Sequence, residues 1–248
     1  RRSMEDLFFS LTAPQIFGIA MKKRTLLASM LFIATVSMAQ ESDSTQVSLQ
    51  EVEIMSTRAT ETTPIAFTNI GKEKLKKANT GIDLPYLVTM TPSALATSDA
   101  GAGIGYTSLR IRGTDATRIN VTANGIPVND SESHNVFWVN MPDLASSIKD
   151  IQIQRGVGTS TNGAGAFGAS INIKTSDFST MPYVGFSGSY GSFGTHKETL
   201  KAGTGIIADH WALDLRLSNI GSNGYIERAS TKLNSYYMQG AYYGNNPT

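Results

Sequence analysis

The chain contains no cysteine and only three histidines in 248 residues. The first absence excludes disulfides, thiolate metal sites and a cysteine nucleophile. The second leaves too few and too dispersed ligands for a histidine-based metal cluster. Charge of one sign is also missing: the formal net charge is +1 and the basic residues are scattered. Nucleic acid is therefore not an implied partner. Beyond the N-terminus no run of eighteen apolar residues occurs, so a membrane could be crossed only by strands. What is present is glycine, 23 residues of it, with frequent Ser, Thr and Asn. Such a composition favours turns and strands over a helical protein.

The N-terminus is organised for export. Residues 1–20 read as an upstream extension, because the chain opens on Arg1 and a secretory start follows it. Met21-Lys22-Lys23-Arg24 is a positive cluster, Leu26 to Val36 a short apolar core, and Ser37-Met38-Ala39 a small-x-small cleavage site before Gln40. This pattern predicts a signal peptide over 21–39, too short in its core to span a bilayer. Residues 40–56 are then a flexible mature N-terminus that includes the alternating segment Leu49-Gln50-Glu51-Val52-Glu53-Ile54-Met55.

Residues 57–178 read as a compact α+β unit. Basic and short helices are expected over 71–78 and 83–88, and a strand over 109–113 with Arg110 and Arg112 on one face. A second strand, 118–123, runs into the tight-turn pair Asn124-Gly125, both of which accept positive φ. A short helix with Pro142 in its first turn is expected over 141–147, leading into a strand at Ile151-Gln152-Ile153-Gln154-Arg155-Gly156. Gly163, Gly165 and Gly168 match G-x-G-x-x-G, but Ser170 to Thr175 alternates with period two. A strand stands where a dinucleotide site needs a helix, and Ala164 occupies the phosphate-lysine place of a P-loop. The glycines fit a close-packed bend instead.

From residue 181 the texture changes to four segments of alternating polarity near 183–190, 197–206, 211–218 and 236–243. Trp211, Leu213, Leu215 and Leu217 oppose Ala212, Asp214, Arg216 and Ser218. Segments of about ten residues with aromatics near their ends suit a transmembrane barrel wall. The same alternation fits a soluble β-sandwich, which leaves a secreted β-rich binding or adhesion protein as the alternative. Four strands cannot close a barrel, so the expectation is a truncated, N-terminal piece of a longer chain.

Taken in order, Ile111-Arg112-Gly113, Asn124-Gly125-Ile126-Pro127-Val128-Asn129-Asp130, Ile151 to Gly156 and Gly168 to Ile173, followed by barrel-like strands, resemble the TonB-dependent outer-membrane receptors. The flavour of residues 134–148 and 224–229 resembles receptors of Bacteroidetes-type bacteria. The resemblance implies an α+β plug domain followed by the first few antiparallel strands of a transmembrane β-barrel, with about 22 strands when whole. It implies no enzyme, no cofactor and no catalytic residue. It implies an outer membrane location in a Gram-negative bacterium, with the plug facing the periplasm. The expected function is import of a scarce nutrient such as a siderophore-iron complex or cobalamin. Implied partners are TonB with its inner-membrane energising complex, outer-membrane lipid, the nutrient and a surface lipoprotein.

The resemblance also distributes roles. Leu49, Glu51, Val52, Glu53 and Ile54 correspond to the segment that TonB grips, which an extended tether can offer as an added strand; the alternative is an ordinary edge strand of the plug, and Glu51 and Glu53 depart from the commoner hydrophobic form. Arg110, Arg112 and Arg155 become candidates for anchoring the plug to wall carboxylates, the alternative being solvation at a sheet edge, alongside the motif residues Gly113, Asn124, Gly125, Pro127 and Gly156. Asp130, Glu132 and His134, spaced two apart, form a candidate ligand-side loop; a calcium loop would need a glycine where Asn135 stands. Trp138 beside them either packs on a ligand or anchors the loop to the core.

Overall fold

The computed structural model describes residues 58–158 and 166–244. The expected signal peptide and the TonB-contact segment Leu49–Met55 lie outside the described residues, as do Gly163 and Gly165 of the glycine stretch. Strand β1 (Phe67–Gly71) leads directly into helix α1 (Lys72–Ala78), and α2 (Leu84–Val88) carries Pro85 in its first turn. Proline suits that place because its missing N–H would have had no helical partner there. The hairpin β2 (Ala94–Ser98) and β3 (Thr107–Ile111) forms a separate two-stranded sheet.

The main plug sheet holds β1 with β4 (Ile119–Ala123), β5 (Ile126–Pro127), β6 (Ile148–Arg155) and β7 (Ala169–Thr175), in the order β1-β6-β7-β4-β5. All its pairings are antiparallel except β4 with β7. Period-two alternation gives this sheet two faces of opposite character. Ile70, Ile151 and Ile173 stand in register on one, as do Val121, Ile171 and Ile153. They are buried with Leu75, Leu87, Leu109 and Trp138 in one apolar cluster. The other face carries the rung Asn69–Gln152–Asn172–Thr122. That rung is closed by hydrogen bonds from Gln152 to Asn69 at 3.0 Å and from Thr122 to Asn172 at 2.8 Å. A buried polar face is tolerable only when its groups are paired in this way.

Asn124 and Gly125 adopt φ of 50° and 81° between β4 and β5, as the turn chemistry predicts. Beyond Gly168 the chain enters β7 rather than a helix, so the dinucleotide reading has no site. Two expectations are corrected. The helix expected over 141–147 is absent: Trp138–Asn140 and Leu144–Ser147 are short 3-10 turns, and Asp143 between them is left-handed at φ 54°. Arg112 does not share a strand face with Arg110, because β3 ends at Ile111 and Arg112 and Gly113 form a tight corner at φ 53° and 78°. The corner lets Thr114 N–H reach back to Ile111 O at 3.1 Å.

The remaining strands form one antiparallel sheet in the order β11-β10-β9-β8. They are β8 (Tyr183–Tyr190), β9 (His196–Ile207), β10 (Trp211–Ser222) and β11 (Thr231–Tyr242). Three of them run longer than the expected segments.

Candidate functional site: the junction of plug and strand wall

The wall sheet has an outer and an inner face. Val184, Phe186, Leu200, Leu213, Leu215, Leu217 and Met238 point outward. All seven are exposed, Leu213 to 44% although strongly apolar. Trp211 and Tyr242 close this band at one end, paired across strands with ring centroids 4.7 Å apart. At the other end the outward row turns polar, with Glu198, Asn219 and Asn234 in register and Asn219 donating to Asn234 at 2.7 Å. An apolar band bordered by an aromatic pair and a polar row is the surface that a lipid bilayer matches.

The inner face is polar and packs on the plug. Lys197, Thr199, Lys201, Asp214, Arg216 and Ser218 all alternate onto it, and most are buried. The plug meets this cationic surface with the Asp143 carboxylate. Asp143 has a fully buried side chain, and its Oδ1 receives the Lys197 ammonium at 2.8 Å, the Ser146 hydroxyl at 2.6 Å and the Asn79 amide at 3.0 Å. Oδ2 accepts from Thr199 on β9 at 2.7 Å and from Ser218 on β10 at 2.6 Å. The left-handed backbone at Asp143 brings neighbouring carbonyls to the wall as well. Arg216 donates to the carbonyl of Asp143, and Lys201 to that of Ser146. Ser235 on β11 reaches Pro142 O at 2.9 Å. One short loop thereby touches three consecutive wall strands.

The electrostatics follow from the packing. Burial alone would push the Asp143 carboxyl up. The Lys197 ammonium and the hydrogen bonds from Lys197, Ser146 and Ser218 outweigh it and hold the group at about 2, against an ordinary 3.8. The carboxylate is thus charged throughout the physiological range. Lone buried charges are costly, whereas a paired and fully hydrogen-bonded one is held firmly. Smaller ties flank this centre: Ser189 donates to Thr80 O at 2.7 Å, Gln239 to Ser176 O at 3.0 Å, and Tyr225 N–H to Ala100 O at 3.1 Å.

The residues singled out from sequence fall elsewhere. Arg110 is exposed on β3. The Arg112 guanidinium lies against Gly156, where a Cβ would come within 2.8 Å of Nη1. Arg155 reaches Pro92 O at 3.4 Å. Among the described residues none of the three forms an ion pair with the wall. Pro127 ends the short edge strand β5. Asp130 is engaged inside its own loop, accepting from Ser133 N–H at 2.7 Å and Ser133 hydroxyl at 2.8 Å, and these bonds hold its carboxyl below the ordinary value. Glu132 is exposed, His134 sits at φ 57°, and Trp138 is buried in the plug core. No group of acidic and histidine side chains among the described residues could hold a metal ion.

Asp143, Lys197 and Arg216 escaped the sequence reading. Their signal was present in the alternation, which put Lys197 and Lys201 on one strand face and Arg216 on the next. Buried cations need paired acceptors, so such a face pointed to polar partners in whatever packs on it.

A small α+β domain thus packs through its Asp143 loop on the polar face of an outwardly apolar four-stranded sheet. Residues 59–170 match the family model described as the TonB-dependent receptor plug domain. Several solved structures share the fold. The ferric yersiniabactin uptake receptor FyuA from Yersinia pestis aligns with TM-score 0.56 at 13% identity, over 71% of this chain and 28% of its own. FpvA from P. aeruginosa, solved with heterologous pyoverdines, gives 0.60 at 16% identity, over 75% of this chain and 24% of its own. The alcaligin outer-membrane receptor FauA from Bordetella pertussis gives 0.58 at 15%, over 73% and 29%. The chain therefore spans about a quarter of the length of these receptors. A comparison with curated protein sequences gave no match.

Proposed function

We propose that this chain is the plug and leading wall of an energy-coupled outer-membrane receptor that takes up a scarce nutrient. The observation that carries the reading is the junction at Asp143. A plug domain is fixed, with a buried carboxylate at the centre of the contact, to the inner, polar face of strands whose outer face is apolar. The plug obstructs the passage that such strands would enclose, and uptake requires that it be shifted by work from outside the membrane. TonB supplies that work by pairing with the alternating sequence Leu49–Met55, where backbone hydrogen bonds would give grip with little side-chain demand. The receptor is not an enzyme; its work is binding and gated movement. A ferric siderophore is the favoured nutrient class, because the structurally similar receptors carry siderophore names. Cobalamin and similar chelates follow. Motion of the plug rests on Asp143, and ligand contact on the exposed loop with Asp130, Glu132 and His134. Further partners are the surrounding lipid and a surface lipoprotein.

Cell fractionation and site-directed cross-linking test this together. The receptor carrying this chain should appear in the outer-membrane fraction, and photo-cross-linkers placed at residues 50–54 should capture TonB during uptake. A soluble product, or absence of any TonB adduct under uptake conditions, would refute the proposal.

A further inference from the structure

The polar face of the plug sheet is covered by its own N-terminal approach. At Ala59, which is 5% exposed, the side-chain amide of Gln152 accepts the backbone N–H at 2.7 Å and donates to the backbone C=O at 2.9 Å. One glutamine thus occupies both hydrogen-bonding groups of a residue, as a neighbouring strand would. Gln152 is itself 3% exposed and is set in place by Asn69 and Gln154, each at 3.0 Å. Next to this pairing, Arg58 forms an ion pair with Asp150 on the same strand, β6, and reaches Asn172 O at 3.4 Å. Arg58 and Asp150 retain 17% and 25% side-chain exposure, so this bridge adds to the amide pairing and does not replace it.

Beyond Ala59 the attachment is local. Thr60, Glu61 and Thr62 are exposed, and the turn is held by bonds within itself, such as Thr63 N–H to Thr60 O at 2.9 Å. The next tie to the sheet is Ala66 O, which accepts from Arg155 N–H at 2.9 Å as β1 begins.

We infer that Gln152, supported by the Arg58–Asp150 bridge, is a clasp that sets the reach of the N-terminal tether. With the clasp closed, the chain is held on the sheet at Arg58 and Ala59. With it open the next tie is at Ala66, and the released residues 58–66 add roughly 30 Å of reach at full extension. The clasp reads backbone and needs no particular side chain beyond a small one at Ala59. It lies on β6, the strand that follows the Asp143 loop, so a pull on the closed clasp is delivered to the element nearest the wall junction. Gln152 is a positioning residue here and touches no nutrient. The inference rests on the reading of Leu49–Met55 as the TonB contact.

Two readouts separate the clasp from that reading. In outer membranes without TonB, a thiol introduced by Ala59→Cys is unique among these 248 residues. It should react with a maleimide about tenfold faster when Gln152→Met removes the amide pairing. Arg58→Gln, which leaves the sheet interior intact, should raise the rate a few-fold and guards against a misfolded Gln152 variant. Labelling rates within twofold of the parent in both variants would overturn the clasp. In cells without nutrient, both variants should increase cross-linking of TonB from residues 50–54. Faster labelling with unchanged cross-linking would overturn the control of reach. No cross-link in any background would refute the TonB contact, while the labelling still decides the clasp.

Discussion

Replacing Asp143 by alanine should detach the plug from the wall more than any other single change at the junction. The substitution strands the Lys197 ammonium, whose side chain is 5% exposed, and frees the hydroxyls of Thr199 and Ser218. Breaking a buried pair from one side costs about 3–5 kcal/mol, much of it the uncompensated charge left behind. At about 1.4 kcal/mol per decade, a loss near 4 kcal/mol raises the detached population about a thousandfold. Hydrogen exchange on the receptor in membranes reads this directly. The amides of Met141, bonded to Trp138 O, and Ser146, bonded to Asp143 O, should lose protection by about that factor. Lys197→Met in the same background removes the stranded charge and should restore part of the loss, with a coupling of at least about 1 kcal/mol. Unchanged protection in Asp143→Ala, or strict additivity of the two substitutions, would refute the assignment of the junction to this pair.

Three further outcomes follow from the same geometry. The Asp143 attachment depends on a carboxyl held at about 2 in the fold against 3.8 outside it. It should contribute fully above about pH 4, and roughly 2 kcal/mol should fade as pH falls through 2. Exchange at Ser146 measured over that range checks it. Asp83 behaves in the opposite sense. Burial raises its carboxyl to about 7 despite bonds from Thr107 and Gly105, so the folded plug holds a proton that the unfolded chain releases near 3.8. Plug stability should therefore fall between about pH 4 and 7 and level off above, by something on the order of 4 kcal/mol, and Asp83→Asn should flatten the profile in denaturant titrations. Gly168→Ala should destabilise the plug by about 1–3 kcal/mol, since a Cβ there would meet Thr114 Oγ1 at 2.3 Å and Arg118 O at 2.8 Å. A melting temperature equal to the parent's would show that β7 can shift to admit it.

The legible parts of this chain were those governed by local chemistry. Period-two alternation located β8 to β11 and sorted their faces, and Asn124-Gly125 announced its turn. Ser170 to Thr175 declared itself a strand, which disposed of the nucleotide fingerprint. The expected helix at 141–147 failed because Asp143 takes a left-handed conformation that tertiary bonding to the wall sustains. Aspartate tolerates that conformation better than most residues, but nothing local in Met-Pro-Asp-Leu demands it. Arg112 was misplaced for a related reason: the strand ends one residue earlier at a two-residue corner. The Asp143 junction joins residues more than fifty positions apart, so periodicity could expose its cationic side but not the carboxylate that answers it. Gln152 was legible as a polar strand residue, whereas its pairing with the backbone of Ala59 appears only once the chain has folded over β6.

The most direct test of the account follows a labelled ferric siderophore in cells that express the receptor carrying this chain, with and without a working TonB. Accumulation inside cells with TonB, and binding confined to the surface in cells without it, is the predicted result. Equal accumulation in both, in a strain that takes up the complex only through this receptor, would contradict the account.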